Sequence, residues 1–127
     1  MNSDKRARVK SFKDLEIWQR GIKLVEDIYK ATDDFPEEEI YGLTSQIRKA
    51  AVSIPSNIAE GFARYFKKEY RQFLYVTLGS CAELATQIVI ASKLDYLKKK
   101  KAGQLTDEIE QISKMTMSLI KKINATN

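Results

Sequence analysis

Residues 48–64 read RKAAVSIPSNIAEGFAR, and this stretch decides the fold class of the chain. Its aliphatic residues alternate with Ser and Asn at helical spacing, which predicts a helix. Pro55 removes one backbone hydrogen bond inside that helix, so we expect a kinked continuous helix, or else a broken pair. Ser53, Ser56 and Asn57 surround Pro55, and their side chains are expected to satisfy the freed carbonyl or a local water. The segment has no catalytic spacing and indicates a helical assembly module.

Apolar residues recur at intervals of three and four over four stretches of the chain. The pattern predicts helices over 13–31, 38–64, 67–94 and 101–123. No alternation typical of a strand occurs. Four helices with short connections predict an all-α, antiparallel up-down-up-down four-helix bundle over residues 12–125, preceded by a flexible basic arm over 1–11.

Several of these helices carry apolar stripes wider than a small bundle core needs. The first helix has two adjoining stripes, Leu15, Trp18, Ile22, Val25 and Tyr29 beside Ile17, Leu24 and Ile28. In the third helix Gly79, Ser80 and Ala82 are small, which permits close approach of a neighbouring helix. A helix that is apolar over most faces is buried on most faces, so we expect a homo-oligomer. The alternative is a monomer with a thick core and some exposed Ile and Tyr.

The composition removes most kinds of catalytic site. The chain has no His and one Cys, which excludes Ser-His and Cys-His couples and imidazole metal sites. Cys81 lies in an apolar helical pattern, so we expect a buried thiol, and its isolation fits a reducing cytoplasm. No glycine-rich phosphate loop occurs, and no uninterrupted apolar run approaches the ~20 residues of a membrane span. We expect a cytoplasmic, non-enzymatic protein with no metal and no cofactor.

The formal charge of +5 is unevenly distributed along the chain. Residues 1–13 carry five Lys or Arg against Asp4, and 26–39 is acidic. Two later segments, 48–71 and 93–101, are basic. Cations bind phosphates by releasing counterions. The candidate nucleic-acid-binding residues are Arg48, Lys49, Arg64, Lys67, Lys68, Arg71, Lys98, Lys99, Lys100 and Lys101.

Aromatic residues lie between the cations in the most specific of these segments. Phe62, Tyr65, Phe66 and Tyr70 alternate with its Arg and Lys residues, and exposed rings stack on unpaired bases. The alternative is a helix junction whose aromatic side chains are core and whose lysines are solvated. A lysine run such as 98–101 is also typical of a solvated turn.

Two carboxylates within the patterned segments are candidates for chemistry or for structure. Two carboxylates can serve as acid and base or hold a divalent cation. A metal site at Glu60 or Glu83 would need a His or a further acidic ligand, which the sequence does not supply beside them. We expect Glu60 to pair with Arg48, Arg64 or a neighbouring subunit, and Glu83 to hydrogen-bond to Gln87 or Ser80. The predicted structural motif consists of Ser53, Pro55, Asn57, Glu60, Gly61, Gly79, Ser80 and Glu83.

Four ordered segments resemble a known family. They are FKDL at 12–15 with Trp18, YGLTSQIRKA at 41–50, SIPSNIAEG at 53–61, and LGSCAEL at 78–84 with Thr86 and Gln87. These are similar to the four-helix-bundle proteins encoded by intervening sequences in bacterial 23S rRNA genes, sometimes labelled ribosomal-protein-like. The accessory protein of diversity-generating retroelements belongs to the same group. The resemblance covers residues 12–123 and implies a four-helix bundle assembled as a ring-shaped homopentamer, with nucleic-acid binding as the suspected activity.

Two functions follow from these observations. The first is a homo-oligomer that binds RNA or DNA through its basic surface, without strong sequence preference. The second is a protein-interaction scaffold that docks a partner, such as a reverse transcriptase, because the acidic segment 26–39 opposes the basic regions. An enzyme with a site assembled between subunits is a distant third.

Overall fold

A computed structural model describes residues 9–125, which form four helices. These are α1 (Glu16–Thr32), α2 (Leu43–Phe62), α3 (Lys67–Lys93) and α4 (Lys99–Ala125), and short 3-10 turns cover Phe12–Asp14 and Glu37–Glu39. Each helix packs antiparallel to the next, and α1 also contacts α4. No strand occurs within residues 9–125, so the predicted all-α up-down-up-down bundle is confirmed. Residues 1–8 of the predicted basic arm lie outside the described part.

The start of α2 differs most from the prediction, which placed it five residues earlier. The 3-10 turn Glu37–Glu39 follows Pro36 and replaces the expected first turn. Gly42 then takes a non-helical conformation with φ −112° and ψ −114°. The Glu39 carboxylate accepts the Leu43 N–H at 3.1 Å, which satisfies one of the donors left open at a helix start.

The connection from α3 to α4 is shorter than predicted, because α4 begins at Lys99 and not at residue 101. Asp95 has a positive φ of 63° and ends α3, while the Tyr96 N–H bonds to the Ala91 carbonyl at 2.9 Å. This is the Schellman arrangement that closes many helices. Tyr96 then packs on Phe35 with 5.6 Å between ring centres and donates its hydroxyl to Glu39 at 3.0 Å. The two connections therefore lie together at one end of the bundle.

The core lies along one stripe of each helix. In α1 the buried stripe is Ile17, Leu24 and Ile28, whereas Ile22 and Tyr29 of the other predicted stripe remain partly exposed. The buried residues of the other helices are mostly those that the periodicity predicts, with Ile120 of α4 as an addition. The largest fully buried side chains include Leu24, Ile28, Ile47, Ile54, Ile58, Leu74, Leu84, Ile88, Ile109, Ile112 and Ile120.

Two glycines allow α2 to approach its neighbours. A Cβ on Gly21 of α1 would lie 3.2 Å from the Cβ of Pro55, so the proline packs directly on the α1 backbone. A Cβ on Gly61 would lie only 2.8 Å from the Cβ of Phe73 on α3. The helix runs uninterrupted from Leu43 to Phe62 through Pro55, as predicted for a continuous helix.

Candidate nucleic-acid interface

The up-down topology divides the charged residues between two ends of the bundle. We call the basic end the one formed by the α2–α3 turn (63–66), the start of α1 and the end of α4. The opposite end carries the α1–α2 connection (33–42) and the α3–α4 connection (94–98), which Tyr96 joins. A helix rises 1.5 Å per residue, so the 27 residues of α3 separate the two ends by about 40 Å.

An exposed aromatic pair lies in the turn at the basic end. Tyr65 is 91% exposed and Phe66 is 63% exposed. Their ring centres are 5.0 Å apart in an edge-to-face arrangement. The turn projects these residues beyond the last residue of α2, where no core stripe faces them. Rings presented in this way have free faces and edges for an incoming planar group.

The other two aromatic residues of the segment belong to the core side. Phe62 and Tyr70 pack edge to face with 6.1 Å between ring centres, and both are partly buried. Burial raises the pKa of Tyr70 to about 12, because the phenolate would lose its hydration there. The segment therefore combines both expectations from the sequence: Phe62 and Tyr70 pack inward, and Tyr65 and Phe66 are presented outward.

Cations from three separate parts of the chain lie at the same end of the bundle as the aromatic pair. Arg64 is ion-paired with Glu60 at 3.7 Å, and its guanidinium carbon lies 4.7 Å from the centre of the Phe73 ring. The described Lys and Arg residues at this end are Lys10, Lys13, Arg64, Lys67, Lys68, Arg71, Lys121 and Lys122, against the carboxylates Asp14, Glu16, Glu60 and Glu69. The sequence prediction did not include Lys13, Lys121 and Lys122, although the up-down order brings them to the same end.

Arg48 is held by the protein itself. Its Nε donates to the Thr32 hydroxyl at 2.9 Å, and Nη2 lies 3.3 Å from the Tyr29 carbonyl and 3.5 Å from Asp33. Its guanidinium carbon is 4.5 Å from the Tyr29 ring centre. These contacts join α2 to the end of α1. The adjacent Lys49 is exposed, and both residues line a groove beside Tyr29.

The predicted lysine run lies at the end of the molecule away from the aromatic pair. Lys98 precedes α4, and Lys99, Lys100 and Lys101 form its first turn, which contains no acidic residue. A helix start carries partial positive charge, so these lysines concentrate like charge there. The acidic residues of 33–39 lie at the same end as these lysines. Since Arg64 and Lys67 lie at the other end, the ten predicted cations form no single surface.

The remaining motif residues make local contacts. The Ser53 hydroxyl donates to the Ala50 carbonyl, and the Asn57 amide donates to the Ser53 carbonyl, each at 2.7 Å. Neither bond reaches the Ala51 carbonyl that Pro55 leaves without its helical partner, so the prediction that these two side chains satisfy it is wrong. The predicted pairs of Glu60 with Arg64 and of Glu83 with Gln87 are present, the latter at 3.3 Å. Ser80 is buried. A Cβ built on Gly79 meets nothing within 4 Å, so no other helix of the described chain contacts this position, and close approach of a neighbouring helix stays a prediction.

Groups that could support catalysis are sparse in the described part. Within residues 9–125, no cluster of three or more His, Cys, Asp or Glu side chains is placed to hold a metal ion. Cys81 is buried as predicted, and burial raises the pKa of its thiol, while a hydrogen bond with Ser113 acts in the opposite direction. A thiol with a raised pKa is a poor nucleophile at neutral pH.

The family is decided by a match that spans most of the bundle. A family model described as 23S rRNA-intervening sequence protein matches residues 13–118. This chain belongs to the 23S rRNA-intervening sequence protein family. The resemblance found in the sequence is thereby confirmed. A comparison with curated proteins gives no match.

A solved structure shares the fold of this 23S rRNA-intervening sequence protein family member. It is the crystal structure of a protein with unknown function from the S23 ribosomal protein family of Bacteroides thetaiotaomicron. The TM-score is 0.75, the sequence identity is 18%, and the match covers 83% of this chain and 98% of that chain. At this identity the likeness shows the fold alone.

One helix of this family member is unusually apolar for its degree of burial. Of the described helices, α3 is long and apolar enough to span a membrane by length and composition, a test that core helices also pass. Only 39% of its apolar window is buried inside the bundle. Its inward stripe, which includes Leu74, Leu84 and Ile88, is core, so the excess apolar surface faces outward.

Proposed function

We propose that this protein is a non-enzymatic, cytoplasmic homo-oligomer that binds single-stranded RNA or DNA through its basic end, without strong sequence preference. The observation that carries the proposal is the exposed pair Tyr65 and Phe66, at the end of the bundle where cations from three parts of the chain lie. Aromatic rings stack on any unpaired base, and Lys and Arg neutralise the adjacent phosphates.

Oligomerisation strengthens the proposal through repetition of the site. Each copy contributes one aromatic pair and one set of cations, so several copies on one strand bind with an effective concentration set by the assembly. The combined positive field also accelerates encounter with a polyanion. The family resemblance implies a ring-shaped homopentamer, and we adopt that assembly as part of the proposal.

The test compares matched charge removals at the two ends of the bundle. Lys68→Gln/Arg71→Gln removes two charges at the basic end, and Lys99→Gln/Lys100→Gln removes two at the opposite end. Fluorescence anisotropy measures binding to a labelled single-stranded RNA over a range of salt concentrations. We expect the basic-end pair to lose about tenfold or more in affinity and to reduce the salt slope by about 1.4, since each phosphate contact on a single strand contributes about 0.7. The opposite-end pair should stay within about twofold of the wild type.

The aromatic contribution is measured in the same assay with Tyr65→Ala/Phe66→Ala. Loss of stacking costs about 1–3 kcal/mol per base, so single-strand affinity should fall at least tenfold. Affinity for a duplex of the same sequence should change less, because its bases are already stacked. Equal losses from both charge pairs, or wild-type binding no stronger than that of a neutral control protein, would reject the proposal.

The second candidate function is a scaffold for another protein. The observation that favours it is the acidic connection 33–39, which lies about 40 Å from the basic end. Protein partners recovered from cells and retained after nuclease treatment, together with failure of the RNA assay, would support this function instead.

A further inference from the structure

The outward face of α3 is an apolar surface without a partner in the described chain. Its apolar and small residues are Tyr75, Val76, Gly79, Ala82, Val89 and Ile90, and the exposed Glu83 and Thr86 lie among them. Gly79 is open, with nothing within 4 Å of a built Cβ. Monomeric proteins rarely leave an apolar strip of this length uncovered.

A second apolar surface lies on the other side of the molecule, between α1 and α2. It is a groove of about 700 Å³. Its apolar lining residues are Tyr29, Ile40, Tyr41 and Val52, all of them exposed, with Tyr41 at 97%. Arg48 stacks on the Tyr29 ring, and the polar lining residues of the groove are Thr44, Ser45, Arg48, Lys49 and Ser53. Ile22 lies seven residues before Tyr29 on the same stripe of α1 and is also exposed, whereas Trp18 and Val25 of that stripe pack against the core.

We infer that the α3 face of one copy packs into the α1–α2 groove of a second copy. The inference rests on the self-association in the proposed function and assigns the two surfaces that produce it. Because the two surfaces differ and lie on different helices, the contact is heterologous, and its repetition generates a ring when the rotation closes.

Apolar residues of the two surfaces lie at similar positions along the bundle axis, which agrees with two copies placed side by side and parallel. Heights above the basic end follow from a rise of about 1.5 Å per residue. Val76 on α3 lies at about 14 Å and Val52 on α2 at about 15 Å. Ile90 lies at about 35 Å, and α2 begins at Leu43, at about 29 Å, with the exposed Tyr41 two residues before it.

Charged groups agree with the same placement. Glu83 lies on the α3 face at about 24 Å, and Lys49 lies beside the groove at about 20 Å, so opposite charges are at similar heights. Lys93 ends the α3 face at the level of the exposed carboxylates of 33–38. An antiparallel placement would bring Lys93 to the basic end of the neighbour, where like charges repel. Charge complementarity of this kind fixes register and orientation between partners.

The experiment uses one arginine on each surface and one elsewhere. Gly79→Arg blocks the α3 face, Val52→Arg blocks the groove, and Gln111→Arg places the same charge on the exposed side of α4 as the matched control. All three positions are exposed, so circular dichroism should show wild-type helicity. Sedimentation velocity then reports the number of chains for each variant and for mixtures over a range of protein concentrations.

We expect the wild type and Gln111→Arg to assemble, and Gly79→Arg and Val52→Arg each to sediment as single chains. A mixture of the last two should form a two-chain particle, because one variant keeps an intact groove and the other keeps an intact α3 face. A mixture no more associated than its components would overturn the pairing, as would assembly of either blocked variant alone.

The outcomes separate this inference from the proposed function. If the wild type sediments as a single chain, both the proposed self-association and this pairing of surfaces are rejected. RNA binding by the basic end is tested separately by the anisotropy assay and does not depend on that result. A wild type that assembles together with both blocked variants removes only the surface assignment.

Discussion

At the scale of single residues, Gly61 shows how one missing side chain permits a helix contact. A Cβ at this position would lie 2.8 Å from the Cβ of Phe73 and 3.2 Å from the Tyr70 carbonyl oxygen. Neither atom is the end of a flexible side chain, so the backbones of α2 and α3 must separate. The closeness of the two helices at the basic end therefore depends on this glycine.

Gly61→Ala should lower the free energy of unfolding by about 1–3 kcal/mol, the usual cost of overpacking. The matched control is Gly103→Ala in α4, where a built Cβ meets nothing within 4 Å. That change should raise stability by about 0.5–1 kcal/mol through helix propensity. Urea unfolding followed by circular dichroism measures both, and equal effects of the two substitutions would contradict the packing argument.

Tyr70 makes a second prediction at this scale, on the response to alkaline pH. Burial raises its pKa from the ordinary 10.0 to about 12. The unfolded chain loses this proton first, so the folded state binds more protons between those values and stability falls as pH rises. Below pH 10 the contribution of the protonated Tyr70 side chain to the free energy of unfolding is fully present.

Urea unfolding between pH 8 and pH 11.5 should therefore show a smaller loss of stability for Tyr70→Phe than for the wild type. Tyr65→Phe serves as the control, because Tyr65 is almost fully exposed and should leave the pH profile unchanged. Identical profiles for the wild type and Tyr70→Phe would show that the buried phenol is not responsible.

At the scale of helices, Arg48 joins α2 to the end of α1. Its guanidinium group contacts a hydroxyl, a carbonyl, a carboxylate and an aromatic ring of the other helix or its end. Sequence periodicity gave the four helices but placed Arg48 among the nucleic-acid-binding candidates. Its partners lie 15 to 19 residues earlier in the chain, and no local pattern identifies them.

Arg48→Met should lower the free energy of unfolding by about 1–2 kcal/mol, because hydrogen bonds from a charged group and a cation–π contact are lost. Lys49→Met removes the same charge from the neighbouring exposed position and should change stability by less than about 0.5 kcal/mol. Thermal unfolding of both variants at the same salt concentration checks the difference. Comparable losses would mean that the net charge, and not the interhelical contact, matters.

Helix boundaries illustrate which local features a sequence pattern misses. The predicted start of α2 was wrong because the three glutamates after Pro36 form a separate 3-10 turn, and Gly42 interrupts the helical conformation. The start of α4 was late because Asp95, in the left-handed region, lets the chain reverse within a short turn. Apolar periodicity carries no information on either turn.

At the scale of the whole molecule, the fold was largely predictable and the candidate site only in part. Periodicity alone gives four antiparallel helices, and that order already brings Lys13, Lys121 and Lys122 beside the α2–α3 turn. The division of the four aromatic residues was not predictable, because the turn at 63–66 breaks the helical phase between Phe62 and Tyr70. Outside the turn the phase holds, and Phe73 and Leu74 fall near the predicted stripe.

The separation of charge between the two ends is also a property of the whole molecule. Net charge alone indicates a generally basic protein, yet the carboxylates of 33–39 and the lysines of 98–101 lie together, so much of their long-range field cancels. Among residues 9–125, the basic end carries eight Lys or Arg residues against four carboxylates. A ligand with many negative charges is therefore oriented by the molecule and is not attracted equally from all sides.

An even number of helices has a practical consequence for anyone who extends this polypeptide. The chain enters α1 and leaves α4 at the end of the bundle that carries Tyr65 and Phe66. A purification tag or fluorescent protein that continues from the start of α1 or from the end of α4 is therefore joined at that end. A fluorescent protein inserted in the α3–α4 connection (94–98) lies instead at the opposite end of the bundle. A fusion protein of that kind leaves the proposed strand-binding residues unobstructed.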